Sequence, residues 1–216
     1  SATKVYDGTP LTAPGHIEGL VGSETATVNT PSSQTAVGST FNFATSIVWG
    51  TAQERNYTWK IGEVGTLTVT AQSIVPDPEN PDSYKGITIS DPEDAVYDGA
   101  EHKWAPVVKD ANGKILTEGT DYTVVYPDGQ DFTNVTGNIT ATITGIGNYT
   151  GTVKKSYQVT PAQLTVNTDG ATATYNGTAL TAGGSVEGLV GNETATVKTS
   201  KSQTDVGSTA NDAYTI

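Results

Sequence analysis

A duplication within the sequence limits most strongly what this chain can fold into. Displacing the chain by 169 positions lays Ala2 to Thr40 over Ala171 to Thr209 without a gap, with about 27 of the 39 pairs identical. Glu-Gly-Leu-Val-Gly-x-Glu-Thr-Ala-Thr-Val stands at 18–28 and again at 187–197, and Ser-Gln-Thr-x-Val-Gly-Ser-Thr stands at 33–40 and 202–209. The stretch between the copies is a related, divergent unit. Tyr97-Asp98-Gly99 echoes Tyr6-Asp7-Gly8, and Asn148-Tyr149-Thr150 echoes Asn56-Tyr57-Thr58. Units that recur head to tail are expected to fold as small modules in tandem.

Within the modules, alternation predicts strands. Ile139, Ala141 and Ile143 fall on one side of the run 138–144, and Thr140, Thr142 and Thr144 on the other. Tyr122, Val124 and Tyr126 alternate likewise with Asp121, Thr123 and Val125. Asp or Asn before Gly marks turns at 7–8, 98–99, 112–113, 128–129, 169–170 and 176–177, because these residues accept positive φ at low cost. A Thr- and Val-rich chain broken by 24 Gly and 10 Pro is expected to be all-β, its short strands paired into sandwiches.

Three modules are expected, at 1–75, 76–160 and 161–216, the middle one preceded by the acidic, Pro-rich linker Pro76 to Pro81. The joint through Val159 to Leu164 reads as tighter, because it passes almost directly from one module's last strand into the next module's first. The third module stops near the counterpart of Ile47 and contains no counterpart of Asn56 to Thr70, so it is expected to be truncated, with an unpaired edge. With no Met at its start, the chain is expected to be a piece of a longer array that continues past Ile216.

Charge and composition restrict the function classes. A net charge of -12 repels phosphate backbones, which argues against nucleic acid as a partner. No apolar run approaches the roughly 20 residues of a membrane span, so membrane insertion is not expected. The absence of Cys removes thiol catalysis and Cys-ligated zinc.

The duplication also tests candidate sites. His16 is replaced by Ser185 in the second copy, and Asp7 by Asn176, a swap that keeps turn geometry and abolishes acid-base chemistry. His102, between Glu101 and Lys103, reads as an exposed turn residue without triad or metal-type spacing. Glu18 and Glu24 recur as Glu187 and Glu193 and read as charges at strand ends or on wet faces. No catalytic or cofactor-binding residue is assigned, and the chain is expected not to be an enzyme. Asp77, Glu79, Asp82, Asp91, Glu93 and Asp94 form a candidate calcium site at the first joint, since calcium takes hard oxygen ligands. Trp49, Trp59 and Trp104 are expected to pack in cores. An intramolecular bond from a lysine such as Lys4 or Lys60 would be one way to staple so small a module.

Lys-Val-Tyr-Asp-Gly-Thr-Pro-Leu at 4–11, continued by Glu-Gly-Leu-Val-Gly, Val-Gly-Ser-Thr, Asn56-Tyr57-Thr58 and Gly-Thr-Leu-Thr-Val-Thr at 65–70, resembles the YDG and MBG type repeats of bacterial surface proteins. The middle unit, with Gly-Thr-Asp-Tyr-Thr-Val-Val-Tyr at 119–126 and Gly-Ile-Gly-Asn-Tyr-Thr-Gly-Thr-Val at 145–153, is similar to a companion repeat that accompanies them. The resemblance implies tandem immunoglobulin-like sandwiches, exposed on the cell wall or surface, that serve as a stalk or adhesin. The alternative is a module that binds a host glycan or protein through loops at one end of a sandwich. In either case the neighbouring repeats of the same chain are its nearest partners.

Overall fold

A computed structural model describes residues 1–76 and 86–215; the segment 77–85 and Ile216 lie outside the described residues. The chain is all-β. Its helical content among the described residues is one 3-10 turn, Glu54–Asn56, and no helix there is long and apolar enough to cross a membrane. The chain divides into two compact units, one of Ser1–Asp91, Pro106–Tyr126 and Ala141–Lys155, the other of Pro92–Ala105, Pro127–Thr140 and Ser156–Ile216.

The first copy of the duplicated sequence supplies β1 (Ala2–Val5), β2 (Ala26–Asn29), β3 (Gly38–Asn42) and β4 (Ser46–Trp49), followed by β5 (Gly65–Thr70) and β6 (Gln72–Ser73). β5 is the middle strand of a three-stranded sheet, parallel to β1 with Leu67 opposite Ala2 and antiparallel to β3 with Leu67 opposite Thr40. Its alternating sequence turns Leu67 and Val69 inward, to 0% and 1% exposure. On its other side Thr68 shares a 3.0 Å hydroxyl contact with Ser39. β2 and β4 form a separate antiparallel ribbon.

The middle stretch adds β7 (Thr88–Ile89), β8 (Ala95–Val96), β9 (Val108–Lys109), β10 (Tyr122–Val125), β11 (Thr136–Gly145), β12 (Tyr149–Thr150) and β13 (Thr152–Thr160). β11 and β13 each contribute residues to both units. β10 pairs antiparallel with β11, Val124 opposite Ile143. Ile139, Ala141 and Ile143 are fully buried, as their alternation predicts. β8 runs parallel to the end of β13, Ala95 opposite Val159.

In the second copy β14 (Thr165–Thr168) pairs with β15 (Gly184–Glu187), and β16 (Lys198–Thr199) with β17 (Ala213–Thr215). The two copies share a frame. The bridge between Leu11 and Gln34 recurs between Leu180 and Gln203, and Thr30 Oγ1 donates to Ala13 O as Thr199 Oγ1 does to Ala182 O. They differ where a partner strand is present in one copy alone. Segments 171–174 and 207–211 correspond to β1 and β3, which in the first copy flank β5, but form no strand. Residues 15–18 correspond to β15, which in the second copy pairs with β14, and form no strand. Each copy therefore displays pairings that the other omits.

Five of the six Asp-Gly or Asn-Gly turns have glycine in the left-handed region, Gly8 at φ 80° and Gly177 at φ 79° among them; Gly170 is the exception. Trp59 corrects the expectation of a packed core residue. It lies outside any strand, between the 3-10 turn and β5, and is 61% exposed. Trp49 is half-buried and stacked on Tyr57 at 5.9 Å, and Trp104 is half-buried with its backbone N–H donating to the Tyr157 hydroxyl.

Candidate functional site: two seams and a repeated turn

The recurring polar residues converge on joints between segments of sequence. Within the first unit, the loop before β12 carries Asn148, Tyr149 and Thr150 onto the end of the first copy. β12 adds to β6 as a parallel strand, Gln72 N–H donating to Asn148 O at 3.0 Å and Ile74 N–H to Thr150 O at 2.9 Å. Asn148 Oδ1 accepts the Val37 N–H at 2.9 Å, and the buried Tyr149 ring meets Tyr6 edge-on at 5.6 Å. This is strand addition, in which backbone bonds supply attachment and a side chain fixes the register. Burial, with a smaller contribution from Tyr6, pushes the Tyr149 hydroxyl up to about 12.

Within the second unit, the Tyr97 hydroxyl donates to Glu193 Oε1 at 2.7 Å while Glu193 Oε2 accepts the Val190 N–H at 3.2 Å. In the first copy Glu24 accepts the Tyr57 hydroxyl, and that hydroxyl accepts the Val21 N–H at 3.1 Å. The recurring glutamate is thus the acceptor of a tyrosine clasp that closes the Gly-Leu-Val-Gly loop. The hydrogen bond to the carboxylate raises each tyrosine above its ordinary range. Glu24 and Glu193, expected at strand ends or on wet faces, are half-buried and exposed respectively and each also accepts a tyrosine hydroxyl; their recurrence in the repeated Gly-Leu-Val-Gly-x-Glu run was the available signal.

The Tyr-Asp-Gly turn has one geometry and three charge settings. Asp7 Oδ1 accepts Thr9 N–H and Oγ1–H at 2.9 and 2.8 Å, and Asn176 Oδ1 accepts Thr178 N–H and Oγ1–H at 2.9 and 2.6 Å. Asp98 accepts Ala100 N–H at 2.8 Å and meets His102 Nε2 at 2.8 Å, so His102 is a half-buried turn partner rather than an exposed residue. Lys4 Nζ reaches Asp7 Oδ1 at 2.6 Å and also donates to Thr9 O; where Asn176 replaces Asp7, Ala173 replaces Lys4. The ammonium and the carboxylate are absent together.

Lys4 first, then the Thr9 N–H, holds the Asp7 carboxyl well below the usual range. A depressed carboxyl contributes stability above its unfolded pKa of about 3.9 that is lost as pH falls toward its folded value. Asp7→Asn should flatten this acid limb and, by keeping the turn acceptor, cost less than about 0.5 kcal/mol at pH 7. Asp7→Ala should cost about 1 kcal/mol. Urea unfolding at pH 7 and pH 3 distinguishes them.

Of the candidate calcium ligands, Asp77, Glu79 and Asp82 lie outside the described residues. Asp91 pairs with Lys155, Asp94 accepts Gln158 N–H and Nε2–H at 3.0 and 3.1 Å, and Glu93 is exposed. Among the described residues no group of three His, Cys, Asp or Glu is placed to hold a metal ion. His16 and Glu18 are both exposed, 3.4 Å apart. Glu187 accepts Asn167 Nδ2 at 3.3 Å across β14 and β15.

Comparison with protein-family models, curated proteins and solved structures found no match to the chain. The fold and the seams define an all-β chain of paired short strands whose recurring side chains hold turns and joints.

Proposed function

We propose that the chain is a structural segment of a bacterial surface protein, a stalk of tandem immunoglobulin-like sandwich modules outside the cell that holds an adhesive region away from it. The observation that supports this best is the seam at β12 and β6. A loop that ends as an added strand on the preceding segment resists bending better than a flexible linker does. The duplication agrees with this. The second copy keeps the Asx turn and the clasp glutamate while it discards Lys4, Asp7 and His16.

Small-angle scattering on the full chain tests the reading. Asn148→Ala combined with Gly151→Ala should broaden the distance distribution relative to wild type. The second substitution places a Cβ 2.6 Å from Val75 Cγ2 at a φ of 95°. An unchanged distribution would remove the seam as the stiffening element.

A second reading rests on exposed aromatics. Phe41 and Phe43 are exposed, 5.7 Å apart, and stand where the second copy has Ala210 and Asp212. Such a patch on one copy alone suits a host glycan or protein ligand. Glycan and matrix-protein arrays in which binding is lost with Phe41→Ala and Phe43→Ala would favour it over the stalk.

A further inference from the structure

We propose that Asn176 is a modification site, an asparagine that the Asx turn of the second copy directs into spontaneous deamidation through attack by the Gly177 backbone nitrogen. The sequence has two Asn-Gly pairs, Asn112-Gly113 and Asn176-Gly177. A following glycine leaves the approach to its nitrogen clear of any Cβ. Both pairs are exposed, and both glycines sit in the left-handed region, at φ 80° and 79°. Sequence and exposure therefore do not separate the two sites. Hydrogen bonding does.

At Asn112 the nucleophile is tied down. Gly113 N–H donates to Asp110 O at 3.0 Å and Asn112 N–H to Asp110 Oδ1 at 2.9 Å, while among the described residues the Asn112 side-chain carbonyl accepts no bond. At Asn176 the arrangement is reversed. Among the described residues no acceptor meets the Gly177 N–H, and Asn176 Oδ1 accepts Thr178 N–H at 2.9 Å and Thr178 Oγ1–H at 2.6 Å. A bond from Oδ1 to the residue two places on spans the Gly177 nitrogen and folds the side-chain carbonyl back beside it. The turn is the same beside a completed sheet, for in the first copy Asp7 Oδ1 holds the same pair of donors and Gly8 is exposed at φ 80°.

The steps balance with water alone. A solvent base takes the Gly177 amide proton, and the nitrogen adds to Asn176 Cγ. Negative charge gathers on Oδ1, where the two Thr178 donors stabilise it as an oxyanion. The Cγ–Nδ2 bond then breaks, the nitrogen takes up a proton and leaves as ammonia, and a five-membered succinimide remains. Water opens either ring carbonyl. One opening gives aspartate, a carboxylate without the Lys4 ammonium that accompanies Asp7, since Ala173 holds that position. The other gives isoaspartate, which lengthens the main chain by a methylene and dismantles the turn.

The test is incubation of the full chain in mildly alkaline buffer, followed by peptide mapping with a fragmentation that distinguishes aspartate from isoaspartate. Asn176 should convert about tenfold or more faster than Asn112, because one nitrogen must break a hydrogen bond while the other site's carbonyl has two donors. Thr178→Val removes the hydroxyl donor and should slow Asn176 by about two- to tenfold, with Asn112 unchanged. In concentrated urea, where neither turn exists, the two sites should react at similar rates, which assigns the difference to the fold. Equal rates in the native chain overturn the proposal. So does an unchanged or faster rate in Thr178→Val, since the donors would then not be activating the amide. A native preference that persists undiminished in urea overturns it too, because the preference would belong to the flanking residues.

Discussion

Leu67→Ala should destabilise the first unit by roughly 2–5 kcal/mol, the range found when a fully buried leucine leaves a cavity. Leu67 is 0% exposed on the central strand of the three-stranded sheet, with β1 on one side and β3 on the other, so neither neighbour can collapse into the gap without breaking its own ladder. The contrasting substitution is Val186→Ala in the second copy. Val186 is half-buried on a two-stranded ribbon, and its loss should cost under about 1 kcal/mol. Urea unfolding followed by tryptophan fluorescence reads Leu67→Ala directly, since Trp49 and Trp59 belong to the same unit. Exchange at residues 165–168 reads Val186→Ala. A loss below about 1 kcal/mol for Leu67→Ala would mean that β5 is not the strand on which the sheet depends.

The strands read from sequence are those whose burial follows from local alternation. β5 falls on Gly65 to Thr70 and β11 carries Ile139, Ala141 and Ile143 inward, because a period of two on a half-buried strand leaves one register that buries the apolar face. Pairing was not legible. β1 runs parallel to a strand more than sixty positions away, and nothing in Ala-Thr-Lys-Val announces that partner. The duplication shows the cost of this directly. Ala171 to Thr174 aligns with Ala2 to Val5 and is not a strand, since strand formation in so short a segment depends on the neighbour that completes its ladder. Trp59 departs from its expected core position in a stretch, 57–64, that forms no strand.

At the site level, the duplication made the Asx turn readable, because Asn176 in place of Asp7 keeps the acceptor and drops the charge. It could not show what Glu24 and Glu193 accept from. Tyr57 lies 33 residues after Glu24 and Tyr97 lies 96 before Glu193, so the two clasps share a hydroxyl and a carboxylate but no sequence spacing. In the acidic cluster, Asp77, Glu79 and Asp82 lie outside the described residues, while proximity in sequence does not show that Asp91 is engaged by the Lys155 ammonium and Asp94 by Gln158.

Tyr149→Ala should cost about 3–5 kcal/mol, comparable with other aromatic truncations in cores, and should open the seam as well. The ring is buried against Tyr6, and the backbone on either side of it makes the strand addition to Gln72 and Ile74. Loss of amide protection at Gln72 and Ile74, with Ile143 still protected, would separate an opened seam from global unfolding. Tyr149→Phe isolates the hydroxyl. Because burial raises the folded pKa to about 12, the stabilisation it reflects is fully present below the unfolded value of about 10 and is lost as pH rises through about 12. Phenolate absorbance and exchange between pH 10 and 12 should therefore show the wild-type seam released together with ionisation of Tyr149. Tyr149→Phe should keep the seam closed to higher pH. If both proteins release Gln72 and Ile74 at the same pH, burial of this ring is not what couples the loop to the first copy, and the backbone bonds of β12 and β6 hold the seam without it.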